Sequence, residues 1–202
     1  MPSIYDLKPA FQNLLRPLNI KLVNQGVTAN HITILAMIIS FVTGGLIVIF
    51  PSYSWPLLLV PLILFVRMAL NAIDGMLARE HNMKSSLGAI LNELGDVLSD
   101  VALYLPLALV DGVNAIGLVL VVMLSIISEM AGVIAIQIGA ERRYDGPMGK
   151  SDRAFLFGVI FLVLGLGVSP SPWLSYLLIV IIILLCLTIF NRVRRALIAT
   201  EK

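Results

Sequence analysis

Six long apolar stretches, separated by short connections, constrain the fold of this chain more than any other feature. They cover about 31–50, 54–79, 86–110, 113–140, 152–169 and 172–195. A bilayer core about 30 Å thick needs roughly 20 helical residues to cross it, and the fifth stretch is at the low end of the spanning range. The sequence therefore predicts an all-α integral membrane protein with six transmembrane helices.

The composition supports this class and argues against others. Of the 202 residues, 59% are hydrophobic and 13% are charged, whereas soluble domains are about half apolar and about a quarter charged. A net charge of +2 gives no reason to expect a nucleic-acid partner. Since Cys186 is the single cysteine, the chain cannot form an intrachain disulfide.

Residues 1–30 form an N-terminal juxtamembrane segment ahead of a membrane domain that we place at 31–197. Lys8 and Arg16 lie off a stripe of five apolar residues that recur at helical spacing: Ile4, Leu7, Phe11, Leu14 and Leu15. This pattern predicts an amphipathic helix that lies on the membrane surface.

The distribution of Lys and Arg predicts the orientation. Thirteen of the 14 basic residues lie near the termini or in the second and fourth connections, and Arg67, inside the second stretch, is the exception. The connections near 51–55, 111–113 and 170–171 have no basic residue. By the positive-inside rule, the basic side is cytoplasmic, and both termini lie there.

A run of polar residues crosses the second and third stretches. It reads N-x-x-D-G-x-x-A-R, eight residues, and then G-x-x-x-N-x-x-x-D-x-x-x-D, with Asn71, Asp74, Gly75, Ala78, Arg79, Gly88, Asn92, Asp96 and Asp100 at the named positions. A charged group at the bilayer centre costs about 2.5–3.5 kcal/mol on insertion scales. Several such groups on two consecutive helices indicate a polar site, which would open toward the cytoplasm.

The spacing places these residues on one face of each helix. Asp74 and Gly75 follow Asn71 by three and four residues, and Ala78 follows them by four and three. Gly88, Asn92, Asp96 and Asp100 form a ridge with a four-residue period. The short connection makes the helices antiparallel neighbours, so the two faces can meet. A bound cation would relieve the repulsion between Asp96 and Asp100, and carboxylate and amide oxygens suit Mg²⁺, Mn²⁺ or Ca²⁺. The alternative is that small and polar residues hold the helices together without a ligand.

The run closely resembles the signature of the CDP-alcohol phosphatidyltransferase family, D-x-x-D-G-x-x-A-R-x₈-G-x-x-x-D-x-x-x-D, over residues 71–96. The resemblance implies a multi-pass protein of the bacterial inner membrane, active in phospholipid biosynthesis, with both termini and the active site cytoplasmic. It would transfer a phosphatidyl group from CDP-diacylglycerol or a related CDP-alcohol to an alcohol acceptor and release CMP. The resemblance also implies Mg²⁺ or Mn²⁺ as cofactor and a homodimer in the membrane lipid.

The resemblance implies a role for each signature position. Asp74 and Asp96 would bind metal, and Asp96 would also be the candidate catalytic base. Arg79 would contact phosphate, and room for the nucleotide would come from three small residues: Gly75, Ala78 and Gly88.

Two positions depart from the family signature. Asn71 and Asn92 stand where the family has aspartate. Each asparagine still offers a carbonyl oxygen as a metal ligand, but two negative charges are lost. Asp100, one helical turn beyond the signature, is a candidate compensating ligand.

Further candidates lie outside the signature. Thr33, with Asn30, resembles the polar start of the first membrane helix in this family and is expected to line the nucleotide pocket. Lys150 and Arg153, beside Gly149, are expected to bind the acceptor, whereas we interpret most other cytoplasmic arginines as anchors to anionic lipid headgroups. Two interpretations of Glu129 stay open: a hydrogen-bonding group inside the bundle, or part of the pocket.

Two hypotheses about function follow. The first is a metal-dependent CDP-alcohol phosphatidyltransferase. The second is a catalytically weakened membrane protein or regulator that still binds CDP-lipid, which the asparagine pair motivates. A transporter fits less well, because transporters tend to have inverted repeats and sites at the midplane, whereas this polar cluster lies toward one side.

Overall fold

A computed structural model describes the backbone of residues 4–200 and the side chains of residues 10–200. Within this range, the chain forms seven α-helices and two 3-10 helices and has no strand. The α-helices are α1 (Ile4–Asn24), α2 (Ala29–Ile49), α3 (Trp55–Glu80), α4 (Ser86–Tyr104), α5 (Ala115–Ile134), α6 (Lys150–Gly165) and α7 (Trp173–Thr200), and the 3-10 helices are Leu105–Leu109 and Ala135–Ile138. The protein is an all-α integral membrane protein, as predicted.

Four of the described helices are long and apolar enough to cross a membrane: α2, α3, α5 with its extension to Ile138, and α7. The expectation that all six stretches have this property is therefore correct for four of them. Helix α4 differs because it carries Glu93, Asp96 and Asp100. Helix α6 has 16 residues, or about 24 Å at 1.5 Å per residue, less than the bilayer core.

The described chain divides into two compact units. The first comprises the chain up to Val42 together with Leu62–Ser99, and the second comprises Thr43–Pro61 together with the chain from Asp100 onward. Helices α2, α3 and α4 each contribute residues to both units. The whole signature lies in the first unit, whereas Asp100, Lys150 and Arg153 belong to the second.

In the first unit, α1 packs against the start of α2 and the last turns of α3. Buried residues of α2 and α3 form a small apolar core, and Leu15, Leu22 and Val23 of α1 pack against it. Two further contacts join α1 to α3. The rings of Phe11 and Phe65 are 6.3 Å apart, and Arg16 pairs with Glu80 at 3.3 Å. Helix α1 is thus held by contacts made from Phe11 to Val23.

Only part of the apolar stripe of α1 packs against α2 and α3. Phe11 and Leu15 are partly buried, whereas Leu14 is 74% exposed and is available to a lipid surface. The predicted stripe residues Ile4 and Leu7, and the flanking Lys8, lie outside the side chains that the structure describes.

In the second unit, α2 and α4 approach closely at Gly44. A Cβ atom on Gly44 would lie 1.9 Å from the backbone oxygen of Ala102. Only glycine allows this contact, as is common where membrane helices pack through small residues. Farther along the chain, the rings of Tyr104 and Phe157 stack at 4.0 Å and join the end of α4 to α6.

We expect Gly44→Ala to destabilise the protein, because the added methyl group meets rigid backbone. Overpacking costs about 1–3 kcal/mol and occasionally more, and here we expect the upper end of that range. The matched control is Gly45→Ala on the same helix, where no atom lies within 4 Å of the added Cβ. Thermal unfolding in detergent measures both variants, and equal melting temperatures would contradict this assignment.

Candidate active site

The turn between α3 and α4 brings the two halves of the signature side by side. Asn82 adopts a positive φ of 56°, which asparagine tolerates better than most residues. The hydroxyl of Ser85 accepts a hydrogen bond of 2.9 Å from the backbone of Gly88 and thereby caps the start of α4. The sequence thus makes a tight reversal between the two polar helices.

Asp96 of α4 is held by two residues of α3. The side-chain amide of Asn71 donates a hydrogen bond of 3.3 Å to Oδ1 of Asp96. The guanidinium of Arg67 lies 3.9 Å from the same oxygen. The two polar faces therefore meet at Asp96, and Asn71 serves there as a hydrogen-bond donor.

Asp74 is buried one turn beyond Asn71 on α3, with 6% exposure. The hydroxyl of Thr33 on α2 donates a hydrogen bond of 2.9 Å to its Oδ2 atom. Thr33, which we expected from the sequence to line the nucleotide pocket, thus contacts Asp74 of the signature. This bond links α2 to α3 and orients one carboxylate oxygen of Asp74.

Polar side chains of this chain lie against two signature glycines. A Cβ on Gly75 would lie 3.0 Å from the guanidinium of Arg79, and one on Gly88 would lie 2.7 Å from Oδ1 of Asn30. These glycines therefore leave room for polar groups next to the signature. Ala78 on the same face of α3 is half-buried.

Exposure varies along the ridge of α4. Asn92 is exposed, whereas the side chain of Asp96, one turn farther, is 23% exposed. Asn92 thus lies at the open edge of the polar face, and Asp96 lies deeper. His31, which we interpreted as an interfacial residue, accepts a hydrogen bond of 3.3 Å from the backbone of Thr28 at the start of α2.

A second polar cluster is buried in the second unit. Arg153 of α6 pairs with Glu129 at 3.0 Å and with Asp100 at 3.3 Å. Glu129 also pairs with Arg192 of α7 at 3.4 Å and with Arg142 at 3.3 Å. Of the two interpretations of Glu129, this arrangement favours the first, a hydrogen-bonding group inside the bundle.

The segment that precedes α6 fits closely against α5 and α7. A Cβ on Gly132 would lie 2.5 Å from the backbone oxygen of Arg143, and one on Gly146 would lie 2.6 Å from Cα of Thr188. The hydroxyl of Thr188 accepts a hydrogen bond of 2.9 Å from the backbone of Met148. Small residues thus fix this segment beside the buried arginines.

Comparison with known proteins decides the family. The sequence model of the CDP-alcohol phosphatidyltransferases matches residues 26–199. The chain belongs to the CDP-alcohol phosphatidyltransferase family. It is also 45% identical to the inner membrane protein YnbA of Escherichia coli K12 over 200 residues, which is 99% of each chain.

The fold of this family member is similar to that of solved structures. One is the phosphatidylinositol phosphate synthase PgsA1 of Mycobacterium tuberculosis with CDP-DAG bound, with a TM-score of 0.74 and 20% identity over 89% of this chain and 92% of that one. Another is PgsA1 with manganese and citrate, with a TM-score of 0.73 and 20% identity over 89% and 87%. At this identity, the likeness concerns the fold alone.

The donor atoms in this member of the CDP-alcohol phosphatidyltransferase family limit the metal that it could hold. Within residues 10–200, no group of three or more His, Cys, Asp or Glu side chains is placed to bind a metal. The signature instead offers the carboxylates of Asp74 and Asp96 and the amide oxygens of Asn71 and Asn92. Hard oxygen ligands of this kind are those that Mg²⁺ and Mn²⁺ prefer.

Sequence reasoning missed two buried arginines. Arg67 was noted only as an exception to the charge distribution, yet it lies four residues before Asn71 and so on the same face of α3. Arg192, one of the basic residues near the end of the chain that we interpret from the sequence as headgroup anchors, is 1% exposed. The helical spacing of Arg192 could have indicated its burial, because it falls on the same face of α7 as five other buried residues: Leu178, Ile181, Leu185, Thr188 and Ala196.

Proposed function

We propose that this chain is a metal-dependent phosphatidyltransferase of the bacterial inner membrane. It transfers the phosphatidyl group of CDP-diacylglycerol or a related CDP-alcohol to an alcohol acceptor and releases CMP. The observation that carries the proposal is the hydrogen bond between Asn71 and Asp96, which joins the two signature helices one turn from buried Asp74. Family membership supports the same reaction class.

The proposed roles follow from the chemistry of the side chains. Asp74, oriented by Thr33, and Asp96 would hold a Mg²⁺ or Mn²⁺ ion, with the amide oxygens of Asn71 and Asn92 as further candidate ligands. When bound, the ion offsets negative charge on the diphosphate. Arg79, at the exposed end of α3, binds a phosphate oxygen through charge-assisted hydrogen bonds.

Asp96 is the proposed general base. The acceptor hydroxyl loses its proton to the Asp96 carboxylate as its oxygen bonds to the phosphorus of the phosphatidyl group. The bond from this phosphorus to the CMP oxygen then breaks, and CMP leaves. We place the nucleotide beside Gly75, Ala78 and Gly88, where it would contact or displace the side chains of Arg79 and Asn30.

The residues that we propose to bind the acceptor belong to the second unit. Lys150 lies half-buried at the first residue of α6, and Arg153 is one turn farther. We keep both as proposed acceptor contacts. An anionic acceptor would compete with Glu129 and Asp100 for Arg153, and Asp100 as a compensating metal ligand would have to give up that ion pair.

We also propose six membrane crossings, with α4 and α6 completing the four longer apolar helices. The support is that connections with and without basic residues alternate along the chain, which places both termini and the signature on the cytoplasmic side. The proposed domain covers 31–197 behind the juxtamembrane segment 1–30, and the proposed assembly is a homodimer.

The test is turnover by the purified protein. The protein is incubated with CDP-diacylglycerol, Mg²⁺ and the small-molecule fraction of a bacterial lysate, and mass spectrometry detects CMP and any new phospholipid. We expect both products, and we expect chelation of the metal with EDTA to abolish both. Failure to form CMP with any fraction or cation would contradict the proposal.

A second candidate function is a CDP-lipid-binding protein without turnover. Its support is Asn71, which donates a hydrogen bond to Asp96 where the family signature has an aspartate. It predicts that CDP-diacylglycerol raises the melting temperature while no CMP forms, and that Asn71→Asp with Asn92→Asp introduces activity. Turnover by the unmodified protein excludes this candidate.

A further inference from the structure

Arg67 is a buried charge in the middle of an apolar helix. It lies in α3, which is long and apolar enough to cross a membrane, and it is 4% exposed. An arginine in such a segment is costly and requires a specific partner. Its place away from the cytoplasmic basic residues excludes a role as a headgroup anchor.

One partner is the proposed general base. The Nη2 atom of Arg67 lies 3.9 Å from Oδ1 of Asp96, the oxygen that accepts the hydrogen bond from Asn71. Arg67 and Asn71 are four residues apart, so they lie one above the other on α3. One hydrogen-bond donor and one guanidinium charge of α3 thus approach the same carboxylate oxygen of α4.

This arrangement changes the charge balance of the site. An aspartate at position 71 would face Asp96 with a second carboxylate, and the two would repel without a cation between them. Asn71 replaces that repulsion with a hydrogen bond, and Arg67 adds a fixed positive charge. Within this group of three side chains, one positive charge thus faces one negative charge before any metal binds.

We propose that Arg67 is a built-in cation for Asp96, which supplies the charge balance that a second divalent ion would otherwise provide. The site then binds one divalent ion rather than two. Arg67 is a positioning residue, because it acts through Asp96 and not on the substrate. The statement about ion number rests on the proposed function, whereas the pairing of Arg67 with Asp96 does not.

The pairing is tested without metal by a double-mutant cycle. The melting temperatures of the wild type, Arg67→Met, Asp96→Asn and the double variant are measured in detergent with EDTA. We expect Arg67→Met to lower the melting temperature and the double variant to regain most of the loss, because the uncompensated carboxylate is gone. Arg67→Lys, which keeps the charge, should stay near the wild type.

The outcome is informative even if Arg67→Met does not fold. A double variant that folds where Arg67→Met fails supports the pairing. Additive losses in the cycle, or equal losses in Arg67→Met and Arg67→Lys, would overturn it.

The ion number is tested by titration with Mn²⁺ alone, followed by electron paramagnetic resonance. We expect one Mn²⁺ per wild-type chain and much weaker binding in Asp74→Asn. Arg67→Met should bind Mn²⁺ at least tenfold more tightly, since Asp96 then lacks its counter-charge, whereas Arg67→Lys should match the wild type. An unchanged affinity of Arg67→Met for Mn²⁺ would overturn the proposal that Arg67 acts as a built-in cation.

The two levels of the proposal fail in different ways. A coupled cycle with no Mn²⁺ bound to the wild type would keep Arg67 as the counter-charge of Asp96. It would overturn the statement on ion number and remove the metal from the proposed function. Uncoupled variants with Mn²⁺-dependent CMP release would keep the proposed function and overturn the role of Arg67.

Discussion

Asp96→Asn is expected to lower the rate of CMP release from CDP-diacylglycerol by about 10²–10⁴-fold, the range that a positioned general base contributes. Asparagine keeps the size of the side chain and can still contact Asn71, but it cannot take the proton of an acceptor hydroxyl. It also removes one of the two signature carboxylates that would hold the metal. The measurement is the initial rate of CMP release at saturating Mg²⁺.

Two further variants make this test specific. Asp74→Asn should be similarly impaired and should bind Mn²⁺ weakly, because Asp74 is the other carboxylate of the site. Asp111→Asn makes the same chemical change at an exposed residue outside the signature and should keep the wild-type rate. Full activity in Asp74→Asn and Asp96→Asn would remove both residues from the mechanism.

Glu129→Gln is expected to reduce the free energy of unfolding by about 3–5 kcal/mol, the cost of removing one partner from a buried ion pair. The Glu129 side chain is 10% exposed and lies within 3.4 Å of both Arg153 and Arg192, whose side chains are 2% exposed. Without the carboxylate, these guanidinium groups lose a shared counter-charge. Denaturant unfolding of the detergent-solubilised protein measures the effect.

A matched control exists in the surface pair of α1 and α3. Glu80 contacts Arg16 at 3.3 Å, with side-chain exposures of 37% and 49%, and such pairs contribute about 0–1 kcal/mol. Glu80→Gln should therefore change stability little. Equal losses in the two Glu→Gln variants would show that burial does not set the strength of the Glu129 cluster.

The sequence predicted the helices well, because apolar length and turn residues determine them locally. The errors lie at the helix ends, where backbone geometry intervenes. The third stretch was predicted to reach 110, but α4 ends at Tyr104, two residues before Pro106, which lacks the backbone donor that a helix needs. The fifth was predicted to reach 169, but α6 ends at Gly165, and Gly167 with φ of 92° closes it in a Schellman motif.

Part of the site could also be predicted, because a four-residue spacing places side chains on one face of a helix. The contact between the faces at Asn71 and Asp96 follows from that spacing and the tight turn. The ion pair of Arg67 with Asp96 continues the same face of α3 by one turn, whereas the ion pairs of Arg153 could not be predicted in this way. They depend on how helices distant in sequence pack, which helical periodicity does not determine.

The central claim is that α3 and α4 bind a divalent ion between their signature carboxylates, next to the diphosphate of a CDP-lipid. Crystals grown with Mn²⁺ and CDP-diacylglycerol test it through the anomalous signal of manganese. We expect a single peak in direct contact with carboxylate oxygens of Asp74 and Asp96 and with the diphosphate. A diphosphate bound away from these carboxylates, with no manganese peak beside them, would contradict the account.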